Sequence, residues 1–252
     1  ITMLMLAAVG IPVIMHGGDC MPTKYGVPLI EIWQKLGVDF SQFSLDRVEQ
    51  ILEKTGIGFI YLPKHFPLAY QLVPYREQIG KRPPFATAEL IWSPCIENVH
   101  IVAGFVHPPT EDRFQDTFTL RGVNNFTTVK GLEGSCDLAL SRTAIIGLGK
   151  AIESSQETES SFVFERLHLN PRDYDFGGKD VPLESIDTLI QNLQEVLQGK
   201  SAELTQAAIF NGGFYLWRFG ISQDFNSGFA LAETMLTKGQ VKDKLQQLQA
   251  IN

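Results

Sequence analysis

Short, continuous apolar runs alternate along the chain with stretches in which apolar residues recur every three or four positions. The runs IPVIM, GIGFIYLP (56–63), NVHIVAGFVH (98–107) and NNFTTVKG (124–131) are too short for buried helices and rich in Val, Ile and Phe, so they predict strands. The opening ITMLMLAAVG reads as the end of a helix closed by a glycine turn, with a strand following at about 12–16. IEIWQKL (30–36) is amphipathic and Gly37 is its natural stop. Ser44 suits the cap of LDRVEQILEKTG, whose apolar face is Leu45, Val48, Ile51 and Leu52. Residues 66–79 read as helical, with Pro67 in a first turn and Pro74 forcing a kink or break. A brief helix is expected within KRPPFATAELIWSP (81–94). Pro-Pro-Thr at 108–110 opens another, with Glu111 and Asp112 in the first turn, where the helix dipole favours acids. Two strand-like runs, Thr143–Gly147 and Ser161–Leu169, flank ESSQETESS (153–161), which predicts an exposed hairpin loop. The tail is helical at about 184–198, 201–219, 225–237 and 240–250. Ser201 and Ser222 mark starts there, and Gly199, Gly220 and Gly239 mark stops.

Strands alternating with helices, followed by a helical tail, predict an α/β fold with a mainly parallel sheet. In such sheets ligands bind beyond the carboxyl ends of the strands. Two glycine-rich loops, 17–26 and 131–137, directly follow apolar runs and are therefore the places to look for a site.

Composition narrows the class. With 252 residues, 44% hydrophobic and 19% charged, the chain can bury a substantial core. A net charge of −7 is not the overall basic balance of a nucleic-acid binder. The three cysteines are odd in number and lack CxxC spacing, which reads as free thiols in a reducing, cytoplasmic setting. The apolar opening lacks a basic leader, is broken by Gly10-Ile11-Pro12 and is shorter than a membrane span of about 20 residues. The chain begins with Ile inside a helical pattern, so it is expected to be part of a longer protein.

Three stretches carry candidate chemistry. HGGDCMPTKYG (16–26) lacks the spacing of a P-loop. Gly17 and Gly18 nevertheless let backbone N–H groups approach a ligand, a following helix N-terminus suits an anion, and His16 and Lys24 add donors. The alternative is a tight strand-to-helix turn with a buried His16. A zinc set of His16, Asp19 and Cys20 lacks a fourth ligand. In KGLEGSCD (130–137), Glu133 and Asp137 suit Mg²⁺ on a phosphorylated substrate, because Mg²⁺ takes few protein carboxylates plus phosphate oxygens. An acidic loop without metal is the competing reading. Arg76, near Lys64, His65, Lys81 and Arg82, can clamp a carboxylate or phosphate bidentately, or simply face solvent. There is no GxSxG, and the cysteines have no histidine signature for a nucleophile.

Taken in order, IPVIMHGGD, TKYG, LIEIWQKLG, GIGFIYLPKHFP, VPYREQIGKRPPFATAELIWSP, TVKGLEGSCD, LNPRDYDF (169–176), AAIFNGGFYLWRFG (207–220) and DKLQQLQAI resemble the anthranilate phosphoribosyltransferase family over nearly the whole chain. The resemblance implies a large α/β domain (1–66 and 96–252) with a central mixed, mostly parallel sheet flanked by helices. Residues 67–95 would belong to a small helical domain completed by a segment outside this chain. It implies transfer of phosphoribosyl from phosphoribosyl diphosphate to anthranilate or a related aromatic carboxylate, with Mg²⁺, in tryptophan biosynthesis, by a homodimer. His16, Gly17, Gly18, Lys24 and Gly26 take the substrate loop, Arg76 the acceptor carboxylate, and Glu133 with Asp137 the metal. Against the family pattern, Gly18 replaces Asn, Asp19 replaces Arg, Met15 replaces Lys, and Cys136-Asp137 replaces an Asp-Glu pair. Lost cations and a lost carboxylate act on one charge-neutralising step, so a weakened or changed transfer is expected. The HGxxxxPTK pattern also resembles a non-catalytic, nucleic-acid-binding branch of the same fold, which would use Lys24, Lys64, Lys81 and Arg82.

Overall fold

A computed structural model describes residues 1–19, 26–79, 87–96, 99–131, 135–151 and 162–251, apart from the side chains of Arg76, Glu77 and Phe162. The chain divides into two compact units, Ile1–Lys81 with Val181–Asn252, and Arg82–Asp180.

In the first unit, α1 (Thr2–Ala8) buries Leu4, Met5, Leu6 and Ala7 and turns at Gly10 into β1 (Val13–Gly17). After α2 (Leu29–Lys35), Ser44 caps α3 (Leu45–Thr55) by accepting from the Arg47 N–H at 3.3 Å. Val48 and Ile51 are buried, whereas Leu45 is 51% exposed. It is the first residue of the helix, ahead of the turns that pack, so the expected apolar face begins one turn later. Gly56 ends α3 in the left-handed region, φ 75°, and its N–H returns to Leu52 O at 2.8 Å. That reversal launches β2 (Ile57–Tyr61) alongside β1 in parallel register, from Val13↔Ile57 to Gly17↔Tyr61.

Three short helices follow, α4 (Leu62–His65), α5 (Pro67–Tyr70) and α6 (Val73–Ile79). Pro67 occupies a first turn as expected. Pro74 does not kink a longer helix. The break falls before it, at Gln71–Leu72, and Pro74 is the second residue of α6, where a missing N–H costs nothing.

The tail forms α8 (Ile186–Leu197), α9 (Thr205–Arg218), α10 (Phe225–Thr237) and α11 (Gln240–Gln249) in this unit. Glycines 199, 220 and 239 end segments as read. Ser201 and Ser222 are not the caps: α9 begins only at Thr205, and Asp224 caps α10 in a reciprocal box with Ser227. The acid outcompetes Ser222, whose hydroxyl donates to Asp224 O instead.

The second unit is a four-stranded mixed sheet in the order β3 (His100–Gly104), β4 (Asn125–Val129), β5 (Ala144–Ala151), β6 (Phe162–Leu169). Helix α7 (Pro108–Leu120) crosses between β3 and β4, which are parallel. Strands β5 and β6 join antiparallel, so the α/β class and mixed sheet agree with expectation, while parallel pairing stops at β4. Parallel neighbours need a long crossover, and among the described residues no helix stands between β4 and β6. Phe114, Phe118 and Phe126 form the centre of the core, with the Phe118 and Phe126 rings 4.6 Å apart. The hairpin loop expected at 153–161 lies outside the described residues.

Glu111 does more than complement a helix dipole. It is buried, accepts from Arg166 Nη1 and Nη2 at 2.8 and 2.7 Å, and accepts from the Thr128 hydroxyl. Thr128, Gly147 and Arg166 share one cross-strand row. A methyl group at Gly147 would lie 2.4 Å from Thr128 Oγ1, so its absence leaves room for the Thr128 hydroxyl at the carboxylate. The Arg166 side chain is 34% exposed and the Glu111 side chain 3%. Losing the arginine therefore strands a buried anion, while losing the glutamate leaves a cation that reaches water. Arg166→Met should cost about 3 kcal/mol in urea unfolding and Glu111→Gln about 1–2 kcal/mol. Equal costs would contradict this reading of the pair.

Candidate functional site

Of the residues predicted in the first glycine-rich loop, His16, Gly17 and Gly18 lie at the carboxyl end of β1. His16 and Gly17 are the last two residues of the strand, and Gly18 follows, buried. The ladder sets Gly17 beside Tyr61 and His16 beside Ile60. Phe59 stacks on Phe40 with centroids 5.7 Å apart, fixing the strand floor beneath the loop.

Tyr61 is held at both ends. Its backbone N–H donates to His65 Nδ1 at 3.0 Å, so that nitrogen is unprotonated. The other ring nitrogen, Nε2, then carries the proton and donates to Phe43 O at 3.0 Å. Its hydroxyl lies 2.7 and 2.8 Å from the two Asp19 carboxylate oxygens, to which it donates. The Tyr70 hydroxyl donates to the same carboxylate at 3.4 Å. Burial, then the bond to Asp19 and its charge, push the Tyr61 phenol above its ordinary range, so it remains a proton donor. Sequence reading missed Tyr61 and Tyr70. The only signal for Tyr61 was its place at the carboxyl end of a strand beside β1; nothing local marked Tyr70.

Lys24 lies outside the described residues. Gly26 is exposed ahead of α2. That helix begins at Leu29, with Pro28 at its cap and Glu31 in its first turn, and residues 20–25 between it and the glycine pair lie outside the described residues. Arg76 is on α6, with its side chain outside the description. Lys64, counted toward a basic groove, donates to Gln42 O at 2.8 Å and Ser41 O at 3.5 Å.

In the second unit, Gly131 after β4 lies close to Ser135. A methyl group at Gly131 would lie 1.9 Å from Ser135 O. Arg142 Nη2 donates to Gly131 O at 3.0 Å. Asp180 Oδ1 accepts from the Leu140 and Ser141 N–H groups at 3.0 and 3.3 Å, and Oδ2 from the Ser141 hydroxyl. Asp137 is exposed at its surface, so water tempers the upward pull that surrounding protein exerts on its carboxyl. Cys136 is partly buried, donates to Val102 O at 3.7 Å, and its thiol is pushed up to about 12 by burial and by the Asp137 charge, the opposite of an activated nucleophile. Glu133 lies outside the described residues. Among the described residues no three His, Cys, Asp or Glu side chains form a metal cage. Asp137 alone still fits Mg²⁺ of the kind that keeps most of its ligands as phosphate oxygens and water.

Over residues 1–242 the chain matches the glycosyl transferase family, a/b domain, and it belongs to that family. Among its relatives, the anthranilate phosphoribosyltransferase of Polynucleobacter necessarius subsp. necessarius is 27% identical over 250 residues, 96% of this chain and 68% of that protein. The enzyme of the same name from Synechococcus sp. is 26% identical over 247 residues, again 96% and 68%. Anthranilate phosphoribosyltransferase from Thermus thermophilus shares the fold with a TM-score of 0.75 at 20% identity, over 99% of this chain and 71% of that one. The Saccharomyces cerevisiae enzyme in complex with PRPP and Mg does so at 0.78 and 15%, over 99% and 68%. No helix among the described residues is long and apolar enough to cross a membrane.

The two loop glycines differ in what surrounds them. A methyl at Gly17 would meet only Phe59 Cζ, at an ordinary 3.5 Å, whereas one at Gly18 would lie 2.7 Å from Tyr70 Cε2. Gly17→Ala should change stability by less than about 0.5 kcal/mol and Gly18→Ala should cost about 1–3 kcal/mol. Chemical denaturation of the two variants checks this, and the reverse order would contradict the packing described.

Proposed function

We propose that this chain transfers a phosphoribosyl group from phosphoribosyl diphosphate to anthranilate or a closely related aromatic amine bearing a carboxylate. The observation that carries the reading is the correspondence over 96% of the chain to relatives that are named for this reaction. In the reaction the bond from the sugar anomeric carbon to diphosphate breaks, the acceptor nitrogen bonds to that carbon, and the nitrogen loses a proton. The centre passes through an oxocarbenium-like state, so the largest task is to stabilise the departing anion.

Backbone N–H groups around Gly17 and Gly18, with His16 as the floor and Lys24 and Gly26 further along the loop, serve the diphosphate side. Arg76 grips the acceptor carboxylate with its paired N–H groups. Asp137, with Glu133, would hold Mg²⁺, which when bound supplies charge neutralisation on the diphosphate. The yeast structural neighbours bound to PRPP and Mg, and to 4-fluoroanthranilate, support this choice of ligands. On the same reading residues 67–95 belong to a small helical domain and 1–66 with 96–252 to the α/β domain. The protein then acts in tryptophan biosynthesis, in the cytoplasm, as a homodimer. A nucleic-acid role has no supporting observation: Lys64 is engaged with backbone carbonyls and the net charge is −7.

Anthranilate fluorescence should fall when the protein is mixed with phosphoribosyl diphosphate and Mg²⁺. Arg76→Ala should raise the anthranilate KM by at least about ten-fold with a smaller change in kcat. Unchanged fluorescence at high protein concentration rejects this substrate pair.

A further inference from the structure

The acid in the substrate loop looks misplaced for a protein that handles diphosphate. Asp19 directly follows the glycine pair, and a bare carboxylate there would repel the ligand. The structure gives it other work. Both its oxygens accept from the Tyr61 hydroxyl and one accepts from the Tyr70 hydroxyl. Tyr61 is in turn fixed by the β1–β2 register and by the bond from its N–H to His65, which is anchored on Phe43 O. The Tyr70 ring lies against Gly18, leaving no room for a side chain there. Tyr61 at the end of β2 and Tyr70 at the end of α5 thus meet at Asp19, all within one compact unit.

We propose that Asp19 is a positioning residue. Its carboxylate, clasped by the Tyr61 and Tyr70 hydroxyls, sets the Gly17–Asp19 backbone so that it can receive an anion of the diphosphate class. The phenols take up the carboxylate's charge by hydrogen bonding, so the acid pins the loop instead of opposing the ligand. The inference rests on the phosphoribosyl reading for the identity of that anion, and on geometry alone for the clasp.

Two arms test it. The first needs no ligand: hydrogen exchange at the Gly18 and Asp19 amides in the free protein. Tyr61→Phe/Tyr70→Phe should speed exchange there by roughly ten-fold, with the tail helices unchanged as a control for folding. The second is calorimetric binding of inorganic diphosphate with Mg²⁺. The Tyr61→Phe/Tyr70→Phe variant and Asp19→Ala should each bind roughly ten-fold more weakly than the wild type. Asp19→Asn keeps an acceptor for the phenols and loses the charge, so it should bind as well as the wild type or better. If Asp19→Ala binds as tightly as Asp19→Asn, only charge matters and the positioning role is overturned. Unchanged exchange in the double tyrosine variant overturns it as well, whatever the ligand. A wild type that binds no diphosphate while exchange responds as expected supports the clasp and counts against the phosphoribosyl reading.

Discussion

The parallel ladder between β1 and β2 is the constraint on which the candidate site depends. Because side chains alternate along a strand, a slip of one residue would exchange every inward and outward group. The register observed, ending at Gly17↔Tyr61, puts a glycine and a tyrosine side by side at the carboxyl edge. The glycine carries no side chain at that edge, and the tyrosine hydroxyl donates to Asp19. Ser44 and Gly56, at the two ends of α3, set where β2 begins and so hold that register in place.

The second unit solves a related problem with a buried charge. Glu111 stands in the first turn of α7, which follows β3, and Arg166 reaches it across the glycine at position 147. The pair ties the crossover helix to the antiparallel half of the sheet. Close by in sequence, Gly131, Arg142 and Asp180 clamp the loop that carries Asp137.

Much of this was legible in the sequence. Continuous apolar runs at 56–63, 98–107 and 124–131 announced strands, because a buried parallel strand needs apolar residues on both faces. Ser44 and Gly37 were readable as helix ends because caps act within a turn of the chain. What failed to show were contacts made across the fold. Nothing local distinguishes Glu111 as a buried partner of Arg166 from a dipole-facing acid. Asp19 read as an unfavourable charge because its two phenol donors are 42 and 51 residues away. Pro74 was legible as a breaker, but its fit into a first turn depended on the chain breaking earlier, at Gln71–Leu72.

The central proposal is that the end of β1 is where phosphoribosyl diphosphate meets this chain. Amide chemical shifts of labelled protein, followed while phosphoribosyl diphosphate is added in the presence of Mg²⁺, test it most directly. The account predicts saturable shifts at Gly17, Gly18 and Asp19, with the amides of α8 to α11 unmoved. Saturable shifts confined to other parts of the chain, or none at millimolar ligand, would contradict it.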